Sequence, residues 1–461
     1  MNRGATVTLS VRSGPSRGDE FSFHERTTCV VGRAPDCSPR LPPDDMQVSR
    51  HHCLFDINPP DVRIRDFGSL NGTFVNGEEI GRRKPDETPE QAALTVFPER
   101  DLADGDEVRL GTTLLRVRIS AGIPAERLRT TRVYCAHCGR DAERADRGRE
   151  GDILCDACRT DPAALVRGLL SRAAEDDGLS GLRGYEVVRE LGRGGQGAVY
   201  LARHLDTGNP VALKVLIAEI AVDGHARAGF LREIEITRAL HHRNIVQFHD
   251  SGSYGASFYL ACEYCDGGTL QQLLDARGGT LAPDVAVAIT VQLLDGLAHA
   301  HTAGITSNGP RGLVHRDVKP SNVLFTGAGT AREAKIGDFG LAKAFDRAGL
   351  SGLTRTGVAA GTFAYMPRSQ LVNYKYVGPE VDVWATAATL YRMLTGTTPR
   401  DFPPSTDPVI VLLQQTAVPV RQRNPSVPRR IARVVDEALI DHPRIVTTSA
   451  AAFRQALLDV G

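Results

Sequence analysis

The chain reads LVHRDVKPSNVLF from Leu313 to Phe325 and KIGDFGLAK from Lys335 to Lys343, and the fold turns on these two stretches. They set Asp317, Lys319 and Asn322 in one run and Asp338 in the other among apolar neighbours. Upstream, LGRGGQGAVYL from Leu191 to Leu201 puts glycine at 192, 194, 195 and 197 between β-prone flanks. Only glycine lets a backbone come close enough to a polyphosphate for its amides to donate. That spacing alone is ambiguous, because a dinucleotide-binding fold uses it too, followed at once by a helix. Here AVYLAR continues as a strand, and VALKV presents Lys214 between apolar neighbours. A lysine inside an apolar strand needs an anion to offset its desolvation. On the predicted helix from Ala226 to Leu240, Phe230, Leu231, Ile234 and Leu240 form one stripe, and Glu233 lies nearer to it than Glu235 does. Glu233 is therefore the expected partner of Lys214.

These ordered elements resemble a protein kinase catalytic domain, over residues 185–461. The resemblance implies a bilobal fold, a β-rich N-lobe over a helical C-lobe, with ATP in the cleft. Phosphoryl transfer asks mainly for positioning and charge neutralisation. By resemblance Gly192, Gly194 and Gly197 cover the phosphates, Val199 lies beside the nucleotide, and Lys214, held by Glu233, orients the α and β groups. Asp338 and Asn322 hold Mg2+. Asp317 accepts the proton of the attacking hydroxyl and Lys319 steadies the γ-phosphate. Lys319, with Gly361 and Thr362, points to the serine/threonine class and so to protein substrates with Ser or Thr acceptors. The backbones of Glu263 and Cys265 meet the adenine, which makes Cys262 and Cys265 free thiols rather than a metal pair. Arg316 is placed to bind a phosphate on the activation loop, with Thr354 and Thr356 as acceptors and Ser351 behind them. His315 is read as a packing residue. A kinase homodimer in which one copy phosphorylates the other is compatible with this reading.

Two departures stand out. Relatives carry Ala-Pro-Glu where this chain has Pro367, Arg368 and Ser369, and the arginine that pairs with that glutamate aligns with Val446. Losing one partner of a buried ion pair costs about 3–5 kcal/mol, whereas losing both can be nearly neutral. The expectation is a C-lobe of uncertain stability with an intact catalytic set. Thr306 to Gly312 reads as an insertion before the HRD motif.

From Thr6 to about Ile119, short runs alternate apolar and polar residues between Gly, Pro and Asn, the pattern of a small all-β sandwich. Between Gly81 and Asp104 a polar, Pro-bearing insertion that includes RRKPDETPEQ reads as a long loop on the sandwich. Val31-Gly-Arg33, Val48-SRHH and Leu70-NGTFVNG resemble the loops of a forkhead-associated (FHA) domain, expected over residues 5–120. That resemblance implies phosphothreonine peptides as partners, with Arg33 and Ser49 on the phosphate, Arg50 assisting, Asn71 on the peptide backbone and His52 structural. The plain alternative is a sandwich that merely packs against the kinase. Leu70 stands where the family often has Ser or Thr.

Cys135, Cys138, Cys155 and Cys158 form two CxxC knuckles across residues 133–160, the spacing of a four-thiolate Zn2+ site in a zinc-ribbon-like module. The surrounding segment is too polar to bury a core alone, so metal binding would supply its folding free energy. A helix and a linker, residues 161–184, follow. The whole is a multidomain α+β chain. Its 55 Lys plus Arg match 55 Asp plus Glu, so no global field draws it to nucleic acid or to an anionic membrane. No run is apolar enough for a signal peptide or a membrane span, which puts the expected location in the cytoplasm. Two functions remain open at this point: an active serine/threonine kinase with a phosphopeptide reader, and a catalytically inactive adaptor with a pseudokinase domain.

Overall fold

The computed structural model describes residues 5–24, 26–88, 92, 95, 97–120, 134–135, 137–138, 140, 154–161, 184–194, 197–217, 224–254, 257–303, 312–327, 332–341, 344, 363–372, 377–403 and 406–460. Thr354, Thr356 and Ser351, the helix and linker of 162–183, and most of the Thr306–Gly312 insertion lie outside them. By contacts the chain divides into two compact units, one made of Met1–Pro124, Gly279–Val287 and Val358–Gly461, the other of Ala125–Gly278 and Ala288–Gly357.

The first unit contains the sandwich. A six-stranded sheet in the order β2-β1-β10-β9-β6-β7 comprises Glu20–Phe23, Thr6–Ser13, Thr113–Ser120, Glu107–Leu110, Thr73–Val75 and Glu78–Gly81. It belongs with a four-stranded sheet, β3-β4-β5-β8, of Thr27–Val31, Cys53–Asn58, Asp61–Asp66 and Arg100–Leu102. Burial alternates along β5, where Val62, Ile64 and Asp66 point inward, as a strand with one core face requires. Val7, Leu9, Phe55, Ile57, Ile64 and Val117 are among the residues that fill the core.

The same unit carries the helices α5 (Arg368–Val372), α6 (Glu380–Thr395), α7 (Pro408–Gln414), α8 (Val420–Arg423), α9 (Arg429–Ala438) and α10 (Ala450–Leu458). Local chemistry sets their ends. Asp407 caps α7 by accepting from the Val409 amide, with Pro408 in the first turn. Gly396 ends α6 at φ 75°, a left-handed position that suits glycine. On α9 the buried residues Ile431, Ala432, Val435 and Ala438 recur at helical spacing.

Sandwich and helices share a core. Val30, Ala34, Cys37, Leu54 and Phe67 pack with Met366, Leu371, Val372 and, on α7, Val409, Ile410, Leu412 and Leu413. Each large apolar side chain so buried contributes about 1.5–3 kcal/mol. Thr28 Oγ1 donates to the Leu371 carbonyl, and Arg65 pairs with Asp407 at 2.8 Å with both side chains nearly buried.

The second unit is built on a five-stranded antiparallel sheet, β11-β12-β13-β15-β14, of Tyr185–Gly194, Gly197–His204, Pro210–Ile217, Ser257–Glu263 and Phe248–Tyr254. Helix α2, Gly224–Arg238, packs on β14, and Phe230 and Ile234 enter the sheet's core. Glu233 is buried and Glu235 is exposed, as the stripe predicts. Helices α3 (Leu270–Ala276) and α4 (Pro283–Thr302) precede a β16–β17 hairpin of Val323–Thr326 and Glu333–Ile336. A capping box of Thr269 and Gln272 starts α3. The short helix α1, Asp156–Thr160, bears Cys158, which joins Cys135 and Leu154 in one hydrophobic cluster with Tyr185, Tyr200 and the sheet residues. Among the described residues no helix is long and apolar enough to cross a membrane.

Candidate active site and sandwich loop cluster

Strand pairing assembles the first part of the site. Val199 of β12 lies opposite Lys214 of β13, and Ala212 opposite Cys262 of β15, so the glycine hairpin, the lysine and residues 262–265 share one region of the sheet. Gly194 pairs with Gly197 across the turn. At Gly197, φ is 146° and a Cβ would stand 1.9 Å from the Val215 carbonyl, so no side chain fits there. Gly192 faces open space.

The hairpin β16–β17 supplies the rest. It brings Asn322, whose carbonyl accepts from the Gly337 amide at 2.8 Å, beside the DFG turn. Asn322 Nδ2 donates to Asp317 twice, to the carbonyl at 2.8 Å and to Oδ2 at 3.0 Å, and Lys319 Nζ lies 2.9 Å from that same Oδ2. Asp338 has φ 61° and Arg316 φ 70°, both uncommon for residues with a side chain. Such conformations cost about 1–3 kcal/mol and persist where surroundings enforce them. Here His315 enforces them: its ring is fully buried, bonding the Gly337 carbonyl through Nε2 at 2.8 Å and accepting from the Asp317 amide at Nδ1.

Lys214 Nζ reaches Asp338 Oδ2 at 2.6 Å. Burial, the largest single influence, would raise the Asp338 carboxyl, but the charge and hydrogen bond of Lys214, with His315 and Lys319 behind them, together hold the group below its ordinary value. The sequence reading did not anticipate this pair. At the edge of the sheet, Glu263 accepts from the Gln247 amide and pairs with Lys335 at 3.0 Å. Burial pushes the Cys262 and Cys265 thiols up to about 12, so both stay protonated, as free cysteines.

At one end of the sandwich, backbone bonds from Arg33 to Ser49 and from Ala34 to Arg50 knit two loop segments together. Gly32 permits this approach, since a Cβ there would lie 2.1 Å from the Arg50 carbonyl. Arg33 Nε donates to the Val48 carbonyl, Ser49 Oγ accepts from the Leu70 amide, and Asn71 Nδ2 donates to the Gln47 carbonyl. Arg33, Ser49 and Asn71 are thus brought together, with Arg50 exposed beside them. His52 is fully buried and links the Ser49 amide to the Gly72 carbonyl. Leu70 is 42% exposed.

The sulfurs of Cys135, Cys138, Cys155 and Cys158 all lie within 4.8 Å of one another, with Cys138 and Cys155 3.7 Å apart. A tetrahedron with metal–sulfur bonds of 2.3 Å has edges of about 3.8 Å. The donor set and its spacing therefore fit a tetrahedral zinc. Hydrogen bonds from Arg140 hold the Cys138 thiol down at about 6, towards the thiolate that a metal requires.

A family profile of the protein kinase domain matches residues 185–449, and one of the FHA domain matches residues 29–111. The serine/threonine-protein kinase PknJ of Mycobacterium tuberculosis is 34% identical over 276 residues, covering 59% of this chain and 44% of PknJ. PknF of the same organism is 38% identical over 219 residues, 47% of this chain and 44% of PknF. The matched stretch thus spans less than half the length of either relative. Among solved structures, the kinase domain of M. tuberculosis PknI is similar at 27% identity with a TM-score of 0.46, covering 60% of this chain and 95% of that one.

Proposed function

Because this chain belongs to the protein kinase family, whose profile spans more than half of it, we propose that it transfers the γ-phosphate of ATP to serine or threonine hydroxyls of proteins. One observation carries the reading: Lys214 with Asp338, and Asp317 with Lys319 and Asn322, come from three distant segments into two adjoining polar clusters. A complete charged set of this kind favours transfer over an inactive adaptor.

Asp317 takes the proton of the attacking hydroxyl, and Lys319, already on Asp317, neutralises charge on the phosphoryl group as it moves. Lys214 exchanges its contact with Asp338 for the nucleotide phosphates, with buried Glu233 as its second anchor, and Gly192, Gly194 and Gly197 let the hairpin cover them. Val199 and the backbone of Glu263 and Cys265 hold the base. Asn322 and Asp338 would hold Mg2+, which when bound screens the phosphate charge and orients the terminal group. Thr354 and Thr356 are proposed as the chain's own acceptors. At the sandwich, Arg33, Ser49, Arg50 and Asn71 form a reader for phosphothreonine, an arginine fork and a hydroxyl suiting a dianion. Cys135, Cys138, Cys155 and Cys158 would hold a structural Zn2+ that supplies folding energy to their segment.

Incubating the pure protein with magnesium ATP should place phosphate on Thr354, Thr356 or a generic acceptor protein, read by mass spectrometry. Equal phosphate in the Asp338→Ala variant, or none in the wild type, would return the chain to the adaptor reading.

A further inference from the structure

The loop that carries Arg33 continues past the proposed phosphate-binding residues. Three residues on, Asp36 accepts a bond from His51 Nε2 at 3.0 Å and lies 3.6 Å from a guanidinium nitrogen of Arg368. Its neighbour Cys37 is buried against the helices and bonds the Arg50 carbonyl through Sγ. Arg368 in turn is buried, donates its backbone amide to Asp441 at 2.8 Å and contacts His442 Nδ1 at 2.9 Å. Asp441 is bound by Arg400, which also donates to the Met366 carbonyl. A continuous polar path therefore runs from the residues around Arg33 and Ser49 to Met366 and Arg368. It is flanked throughout by the shared apolar core of sandwich and helices. The segment it reaches, Phe363–Val372, is the one that departs from Ala-Pro-Glu, and it follows directly on Gly361 and Thr362.

We propose that the phosphate-reading end of the sandwich and the segment Phe363–Val372 are energetically coupled, so that a phosphothreonine peptide held at Arg33, Ser49 and Asn71 stabilises that segment through Asp36 and Arg368. The proposal rests on the reader assignment made above. Its physical basis is that a phosphate bound at Arg33 and Ser49 would hold together the 32–37 and 48–51 limbs of the loop between β3 and β4, and Asp36 of that loop makes the contact with Arg368. Coupling of this kind is reciprocal: whatever factor the peptide contributes to the segment, an intact segment contributes to peptide affinity.

The test uses the full chain, a phosphothreonine peptide selected from a library and its unphosphorylated counterpart. Hydrogen exchange of fragments covering 363–372 should slow several-fold with the phosphopeptide and remain unchanged with the control. Arg368→Gln, more than 300 positions from Arg33, should weaken phosphopeptide binding by about fivefold, the low end of ordinary coupling. Should that variant fail to fold, Asp36→Asn on the loop side carries the same reading, because a purely local effect on affinity would leave exchange at 363–372 responsive to peptide. Binding with wild-type affinity in Arg368→Gln and no change in exchange at 363–372 would overturn the coupling while leaving the reader intact. Absence of phosphopeptide binding in the wild type would overturn both.

Discussion

Lys214 with Asp338 and Arg400 with Asp441 are cation–carboxylate pairs of nearly equal length, 2.6 and 2.5 Å, in opposite surroundings. The side chains of the first are 23% and 38% exposed, those of the second 1% and 4%. Water screens the first pair, so it contributes little to stability and is cheaply exchanged for other partners. The second is sealed: Arg400 also donates from Nε to the Gln415 carbonyl and stacks over Trp384 at 4.8 Å. Its charge has nowhere else to go. Equal geometry thus leaves one pair open to exchange and makes the other a scaffold, and solvent decides which.

The sharpest way to break this contrast is Arg400→Ala, which strands Asp441 and should cost about 3–5 kcal/mol, read as a lower urea midpoint. A double variant, Arg400→Met with Asp441→Leu, should recover much of that loss, since no charge is left buried. A single-variant cost below about 1 kcal/mol would mean the pair is no scaffold. Next in size, Asp338→Ala should lower phosphoryl transfer at least about a hundredfold while changing the unfolding free energy, read by urea titration, by less than about 1 kcal/mol. A midpoint shift as large as that of Arg400→Ala would erase the distinction between open and sealed pairs.

The open pair's residues were legible because each stands in a short motif whose spacing is imposed by chemistry: Lys214 in VALKV, Asp338 in DFG. Alternation likewise announced the sandwich strands such as β5 and β10. Arg400 and Asp441 carry no such mark. They sit in TTPRDF and LIDHPR, 41 positions apart, and only the packing of α6 and α9 brings them together. The sequence reading aligned the lost arginine of the Ala-Pro-Glu pair with Val446, which proves to be 50% exposed, and gave no sign that Asp441 anchors Arg368 through its backbone amide. Equally invisible was the bond between Thr28 and Leu371, 343 residues apart. Buried partners are chosen by topology, which local spacing does not encode.

The thiol cluster lies between the two extremes, since Cys135 and Cys158 are buried and Cys138 is exposed. Metal analysis should return one zinc per chain, and Cys155→Ser should lose it. A folded, metal-free wild type would remove the cluster from the comparison.

The smallest effect concerns pH and tests the open pair from the other side. Lys214 holds the Asp338 carboxyl below its ordinary value. The pair's small gain is then fully present above the unfolded carboxyl's pKa of about 3.9. It is lost as pH falls through the lower, folded value. In Lys214→Met burial, the largest influence on Asp338, is opposed only by the weaker pull of His315 and Lys319, so the carboxyl rises relative to the wild type. The stability that the wild type gains as pH rises through this window is therefore smaller in the variant. Between pH 3 and 6 the urea midpoints of wild type and variant should therefore diverge as pH rises, by under about 1 kcal/mol in all. Parallel profiles would mean that Lys214 and Asp338 do not share charge in solution, and the lysine's anion would have to be sought elsewhere, with Glu233 the first group to substitute.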